Sequence, residues 1–355
     1  MSGSLPSRYL GEVEGQPGAI RRAAAALREQ TPVLRRLAEL APARQLVFTG
    51  MGGSYAACYV PVTALGAAGR PAMMVDAAEL VHFRRAMLGG QSLVVVVSQS
   101  GESAEITRLV GATGEGSPRP RLVAVTNGLA NSLSRGADCA FDTRAGEELG
   151  PSTLTFAASL VALAALEAVL GGASVADALA ATEPRAEAAA QAVQRLLERV
   201  EPESARLREW LGDRSALTLL GRGTARAATE MGALLFKEAA RFPAESLQSA
   251  QFRHGPLELT SAQSAIVIVA TEPATRALDL ALARDLLAAG AAVLLVTPDG
   301  AGPPGALTVA VGAVDRRLMP AVAVIPFQLL AGRLAGERGY EPCALELASK
   351  VTAHE

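Results

Sequence analysis

Charge of one sign, cysteine pairs, aromatic residues and long apolar runs are all scarce in this sequence. Lys and Arg number 33 against 35 Asp and Glu, for a formal net charge of -2. They are spread along the chain, so the electrostatic footprint of a nucleic-acid or anionic-membrane partner is lacking. The three cysteines, Cys58, Cys139 and Cys343, form no CxxC and have no histidine at metal-ligand spacing. They read as small buried hydrophobes in a reducing compartment, with no metal site. Met1 to Arg8 lacks the basic-then-apolar pattern of a signal peptide, and apolar runs break before the roughly 20 residues a bilayer needs. The expectation is a cytoplasmic protein with no cofactor.

What is abundant is small and aliphatic. Half of the 355 residues are apolar but only 4% are aromatic, a composition suited to helices packed on both faces of a Val-rich parallel sheet. The length suits two domains of about 150 to 200 residues. After a helical stretch over Ala19–Ala41, strands are expected at Gln45–Thr49, Ala72–Val75, Ser92–Val97, Arg121–Thr126 and Cys139–Asp142. A helix over Tyr55–Ala68 follows the Gly-rich turn Gly50–Ser54. Leu154–Leu211 reads as almost wholly helical and marks the seam between domains, taken as 1–200 and 201–355. A second series follows: strands at Ala216–Leu220, Ala265–Ala270 and Ala292–Val296, the turn Gly221–Thr224, and helices to Arg241, over Ala274–Ala289 and over Leu318–Ala335. Both halves repeat strand, Gly-rich turn, helix and a later Val-rich strand, so the fold class is α/β with an internal duplication.

In open α/β sheets, ligands bind beyond the carboxyl ends of the strands. Ser98-Gln99-Ser100-Gly101-Glu102-Ser103 places three hydroxyls at a strand-to-helix turn, where a phosphate is favoured by backbone N–H groups and the helix dipole. Gly52 and Gly53 let backbone approach a ligand closely, with Ser54 at the start of the next helix. Taken alone, either turn could be an ordinary N-cap. Neither fits the P-loop or the dinucleotide spacing, so nucleotides are not expected. In the second half, Glu238 on a helix and His254 in the turn Arg253-His254-Gly255-Pro256 could divide an isomerase's proton transfers. His254 is one of three histidines, with His82 and His354, and the only one in a Gly/Pro-bounded turn. Taken alone, Glu238 reads sooner as a solvated helix residue, His254 reads as readily as a structural hydrogen-bonding group, and spacing does not decide.

Several phrases together resemble the double-SIS (sugar isomerase) family, which includes the isomerase half of glucosamine-6-phosphate synthase and stand-alone aminosugar-phosphate deaminases and isomerases. They are Gly11–Pro17 (against KEIxEQP), GMGGSYAA from Gly50, SQSGES from Ser98, VTN at Val125, AGEELGPST from Ala145, LGRG from Leu220, KE at Lys237, RHGP at Arg253 and SKVT from Ser349. The resemblance implies two tandem SIS domains, each a three-layer, flavodoxin-like parallel sheet flanked by helices. It implies a small-molecule sugar phosphate as ligand, with Ser98, Gln99, Ser100 and Ser103 cradling the phosphate. Gly52, Gly53, Ser54, Glu148 and Ser349 then lie near the sugar, Glu238 shuttles the proton between C1 and C2, and His254 opens the ring from the other subunit of a homodimer.

The departures concern the substrate. The sequence starts directly with the isomerase portion, so nitrogen donation through a glutaminase domain is not expected. The synthase tail carries a Schiff-base lysine; here Ser349 takes that position and Lys350 stands one step later, while a second family lysine corresponds to Leu235. The expectation is therefore a phosphosugar isomerase or an aminosugar 6-phosphate deaminase-isomerase. Two rivals are a non-catalytic sugar-phosphate sensor and a deglycase of amine-linked sugar phosphates. The second half's corresponding turn, Thr271-Glu272-Pro273, has no serine cluster, and Glu272 is expected to repel a phosphate there.

Overall fold

A computed structural model describes residues 5–114 and 119–352. His354 and the first four residues of the Met1–Arg8 stretch lie outside them. The chain divides into two compact units. One comprises Gly18–Glu147, Leu154–Glu187 and Glu346–Glu355, and the other Met1–Pro17, Glu148–Thr153 and Ala188–Leu345. Each contains one five-stranded sheet whose neighbouring strands all pair in parallel.

The helices, in chain order, are α1 (Ser7–Glu14), α2 (Gln16–Glu29), α3 (Thr31–Leu40), α4 (Gly52–Ala57), α5 (Tyr59–Ala67), α6 (Ala77–His82), α7 (Ala104–Gly114) and α8 (Ser132–Gly136). They continue with α9 (Leu154–Leu170), α10 (Val175–Leu197), α11 (Val200–Leu211), α12 (Ala225–Ala240), α13 (Ser249–Phe252), α14 (Arg276–Ala288), α15 (Met319–Ala323) and α16 (Ile325–Glu337). Prolines account for two of the breaks between helices, the first of them inside a stretch where the pattern predicts continuous helix. Pro61 has no N–H for the Ala57 carbonyl, and the expected Tyr55–Ala68 helix divides at Cys58. Pro17 likewise cannot serve the Val13 carbonyl, which instead accepts from the Gln16 side-chain amide at 3.0 Å.

The first sheet runs β2 (Ala72–Met74), β1 (Gln45–Thr49), β3 (Ser92–Val97), β4 (Arg121–Thr126) and β5 (Cys139–Asp142). One face packs Val47, Val94, Val96 and Ala124 against Leu80, Ile106, Leu109 and Leu133 of α6, α7 and α8. The apolar helix α9, buried along almost its whole length, covers the other face with α3 and α5. Burial on both faces is why β3 reads as an unbroken apolar run.

The second sheet runs β10 (Leu307–Ala310), β9 (Ala292–Thr297), β8 (Ala265–Val269), β6 (Leu217–Gly221) and β7 (Ala244–Gln248). Matched strand for strand, β6 to β10 repeat the order of β1 to β5, so the duplication seen in the sequence is present in the topology. Leu220, Ile266, Ile268 and Leu295 pack against Phe252 of α13 and Leu282, Ala283 and Leu286 of α14. Opposite them lie α12 and α16, in contact at Gly232, where a Cβ would come within 2.5 Å of Phe327 and 2.9 Å of Leu219. The 319–337 stretch is long and apolar enough to cross a bilayer, but 89% of it is buried inside the protein, as in a core helix.

Candidate active site

Strand order reverses at β1 and β3 in the first sheet, because β1 leads outward to β2 and the chain then returns to β3 on its other side. That switch point is where an open α/β sheet leaves a crevice at its carboxyl edge. The turns after these two strands are in contact there: a Cβ on Gly50 would stand 2.7 Å from the Val97 carbonyl. Gly52 takes a left-handed φ of 53° and begins α4, with Gly53 buried and Ser54 half-buried behind it.

The serine turn is built from its own side chains. Ser98 Oγ accepts the Gly101 N–H at 3.1 Å, and Ser100 Oγ accepts the Glu102 N–H at 3.2 Å. A hydroxyl that accepts from its own turn keeps its O–H to donate elsewhere. Gly101 has φ 65°, and a Cβ there would come within 2.2 Å of the Asn131 amide. Asn131 is itself fixed, donating to Thr126 Oγ1 at 3.1 Å and the Gly128 carbonyl at 2.8 Å. The Gln99 carbonyl accepts from the Asn127 N–H at 3.1 Å and the Thr126 hydroxyl at 3.2 Å. The Glu102 carboxylate is drawn away to the Ser132 N–H at 2.6 Å, which removes its charge from the mouth of the turn. Ser103 is half-buried and immediately precedes α7.

The C-terminal segment crosses this same place. Ala104, first residue of α7, donates its N–H to the Thr352 carbonyl at 3.0 Å. Ser349, exposed, donates to the Val351 carbonyl at 2.6 Å, and Lys350 between them is half-buried. The first unit thus carries Gly52, Gly53, Ser54, Ser98, Gln99, Ser100 and Ser103 on two adjoining turns, and it also holds Ser349 and Lys350 on the segment whose Thr352 meets the start of α7. Asn127 and Asn131 hold the turn in shape; from sequence Asn127 enters only as the end of the VTN phrase, with no role, and Asn131 does not enter at all. Asparagine after a strand is too common a turn residue to carry a signal by itself.

Glu148, Glu238 and His254 belong to the second unit. Glu148 is 5% exposed, and its carboxylate accepts from the Thr153 N–H at 2.8 Å and the Thr153 hydroxyl at 3.3 Å, next to the start of α9. Glu238 is half-buried in the last turn of α12. Its charge reaches the phenol of Tyr9, whose pKa is pushed well above the ordinary value by burial first, then by Cys343, Glu12 and Glu238. His254 is exposed, in the turn after α13. Its neighbours face α14: Phe252 is in the core on that side, and Arg253 pairs with Asp285 at 2.6 Å. Helix α12, which carries Glu238, and the Phe252–Arg253 residues that precede His254 therefore pack on opposite faces of the second sheet.

The second sheet has a matching switch point at β6 and β8, and it is filled. Gly221-Arg222-Gly223 corresponds to Gly50-Met51-Gly52, and Gly223 has φ 54° where Gly52 has 53°. The Glu272 carboxylate accepts from the Thr224 N–H at 2.8 Å and from the Thr224 hydroxyl. A Cβ on Gly223 would stand 2.9 Å from it. Beside it Arg222 pairs with the fully buried Asp279 at 2.8 Å. Glu272 thus does more than repel an anion: it occupies the anion's place over α12. Among the described residues no group of three His, Cys, Asp or Glu side chains is placed to hold a metal ion.

The SIS domain profile matches residues 39–168 and 211–337, one copy around each sheet. This chain belongs to the SIS-domain family. Its two SIS domains are similar in sequence to the glutamine–fructose-6-phosphate aminotransferases (isomerizing) of Pyrobaculum aerophilum and Thermococcus kodakarensis, each 29% identical, over 96% and 95% of this chain. The chain spans 56% of the length of each of those relatives. Among solved structures, the C-terminal domain of glucosamine-fructose-6-phosphate aminotransferase from Francisella tularensis superimposes with a TM-score of 0.83 at 24% identity, covering 94% of this chain and 97% of that one. Glucosamine-6-phosphate deaminase from Thermotoga maritima gives 0.75 at 17% identity, covering 98% and 99%. At those identities the structural likenesses establish the shared double-SIS fold.

Proposed function

We propose that this double-SIS protein is a phosphosugar isomerase or an aminosugar 6-phosphate deaminase-isomerase, moving a proton between C1 and C2 of a hexose or hexosamine 6-phosphate. The observation that carries the reading is the serine turn at the first SIS domain's switch point. Its hydroxyls fix the turn as acceptors and keep their protons for a dianionic ester. Names of relatives and of similar structures, which include a glutamine–fructose-6-phosphate aminotransferase and a glucosamine-6-phosphate deaminase, support the same substrate class.

In this mechanism Ser98, Gln99, Ser100 and Ser103 hold the phosphate, and Ser54, Gly52, Gly53, Ser349 and Glu148 border the sugar. His254 of a partner subunit opens the ring by moving a proton between O1 and O5. In the aldose-to-ketose direction the Glu238 carboxylate removes the proton at C2 while O1 gains one, a C1–C2 double bond forms as a cis-enediol or enolamine, and the proton returns at C1 as the C2 substituent gives up its own. An amino sugar then carries a C2 imine, which water hydrolyses to the ketone and ammonia. The packing of α12 and of the residues before His254 on opposite faces of one sheet favours a homodimer, in which the exposed His254 of a second copy meets Glu238. Free thiols at Cys58, Cys139 and Cys343 suit a cytoplasmic enzyme.

The test is proton exchange at C1 of fructose 6-phosphate and at C2 of glucosamine 6-phosphate in deuterated water. Wild-type protein is expected to exchange it, and E238Q to lose about 10²- to 10⁴-fold in rate while still binding the sugar. Absence of exchange with both sugars, with E238Q indistinguishable from wild type, removes the enzyme and leaves the sensor. The sequence contains two lysines, Lys237 and Lys350, so borohydride trapping of an imine has a simple readout. Modification at Lys350 supports amine chemistry through the tail, and its absence favours the plain isomerase.

A further inference from the structure

The N-terminal phrase Gly11–Pro17 finds no use in the phosphate turn or in the proton transfer. The structure gives its glutamate a specific task. Glu12, on α1, accepts two consecutive backbone N–H groups with one oxygen: Leu149 at 2.6 Å and Gly150 at 3.2 Å. These residues directly follow Glu148, and they leave no room for adjustment. A Cβ on Gly150 would meet Cys343 Sγ at 2.9 Å and Glu12 Oε2 at 3.3 Å.

The clamp is anchored on both sides. One turn before Glu12, Tyr9 is fully buried, and its hydroxyl donates to the Gln328 carbonyl of α16 at 3.2 Å. Gln16 pairs with the Gln328 amide at 2.7 Å. Helix α16 is also the helix on which α12, bearing Glu238, packs. The same rigid helix therefore supports α1, which holds the Glu148 loop, and α12.

We infer that Glu12 is a positioning residue for the proposed proton transfer, its carboxylate fixing the Glu148–Gly150 backbone relative to the helix that carries Glu238. The inference rests on the functional reading above and deepens it. Positioning of this kind acts through geometry, so an acceptor at Oε1 is what the site needs from residue 12, and the charge is secondary.

Steady-state kinetics on fructose 6-phosphate and glucosamine 6-phosphate test it, with wild-type activity established first. E12A is expected to lower kcat/KM about 10- to 100-fold, and E12Q, which keeps an acceptor, to restore it to within about threefold of wild type. E148Q combined with E12A is expected to be no worse than the poorer single variant, because both act on one loop. G150A attacks the clamp from the loop side and is expected to show the same loss. C343A, which removes the sulfur that its methyl would strike, is expected to relieve it. Thermal unfolding of each variant separates a loosened loop from a lost fold, and the glycine and cysteine variants serve if E12A does not fold. An active wild type with E12A within threefold of it, E12Q as impaired as E12A, or multiplying E12A and E148Q losses overturns the inference alone. A wild type without turnover overturns the functional reading and this inference together.

Discussion

At the scale of single residues, the serine turn depends on one backbone angle and two hydroxyls. Gly101 has both a left-handed φ and an Asn131 amide in the place of any side chain, so G101A combines backbone strain with a clash. It is expected to destabilise the protein by about 2 kcal/mol or more and to abolish sugar-phosphate binding, read by denaturant unfolding and calorimetry. S100A, by contrast, removes a half-exposed hydroxyl and leaves the backbone path intact. It is expected to weaken hexose-phosphate affinity by about 1 to 2 kcal/mol with unfolding nearly unchanged. Equal losses of stability in the two variants would mean that the hydroxyl serves the fold and not a ligand.

At the scale of elements, the two Gly-x-Gly turns show how one duplicated device has diverged. Gly52 and Gly223 share a backbone angle, yet only the second turn is closed by a carboxylate of its own chain. E272A leaves the Thr224 N–H without its acceptor in a buried place, which costs about 1 to 3 kcal/mol. A lower thermal midpoint with an unchanged KM is the expected outcome, and a changed KM would place the substrate in the second domain. The strands that the sequence makes legible are those with a continuous or alternating apolar pattern: β1, β3 and β4 are buried along nearly their whole length, and the edge strand β5 alternates buried and half-buried residues. Gln45–Thr49, Ser92–Val97, Arg121–Thr126 and Cys139–Asp142 have the bounds their β-branched and apolar runs predict. Edge strands β7 and β10 were missed. Ala244-Glu245-Ser246-Leu247-Gln248 is half-solvated and carries too little apolar alternation to be recognised. The short helix α1 was missed as well, because Gly11 and Gly15 weaken its pattern. The arrangement of Glu238 and His254 was out of reach for a different reason. Which face a connection covers follows from strand order through the right-handed crossover, and strand order is a tertiary fact.

At the scale of the whole molecule, the proposed function draws its histidine from a second copy of the chain, and that is open to a direct test. E238Q and H254A are each expected to be inactive, but mixing them under conditions of subunit exchange creates hybrid dimers in which one of the two sites has both wild-type residues. Activity should return to about a quarter of the wild-type level in an equal mixture. No recovery, with hybrids demonstrated by mass spectrometry, would mean that each chain works with its own histidine. The central claim is narrower and concerns the anion: one phosphate site per chain, at Ser98–Ser103. Calorimetric titration of fructose 6-phosphate into wild-type protein and into the S98A/S100A double variant tests it most directly. The account predicts one equivalent per chain for wild type and an affinity loss of about 10-fold or more for the variant; two equivalents per chain, or an affinity untouched by the double substitution, would contradict it.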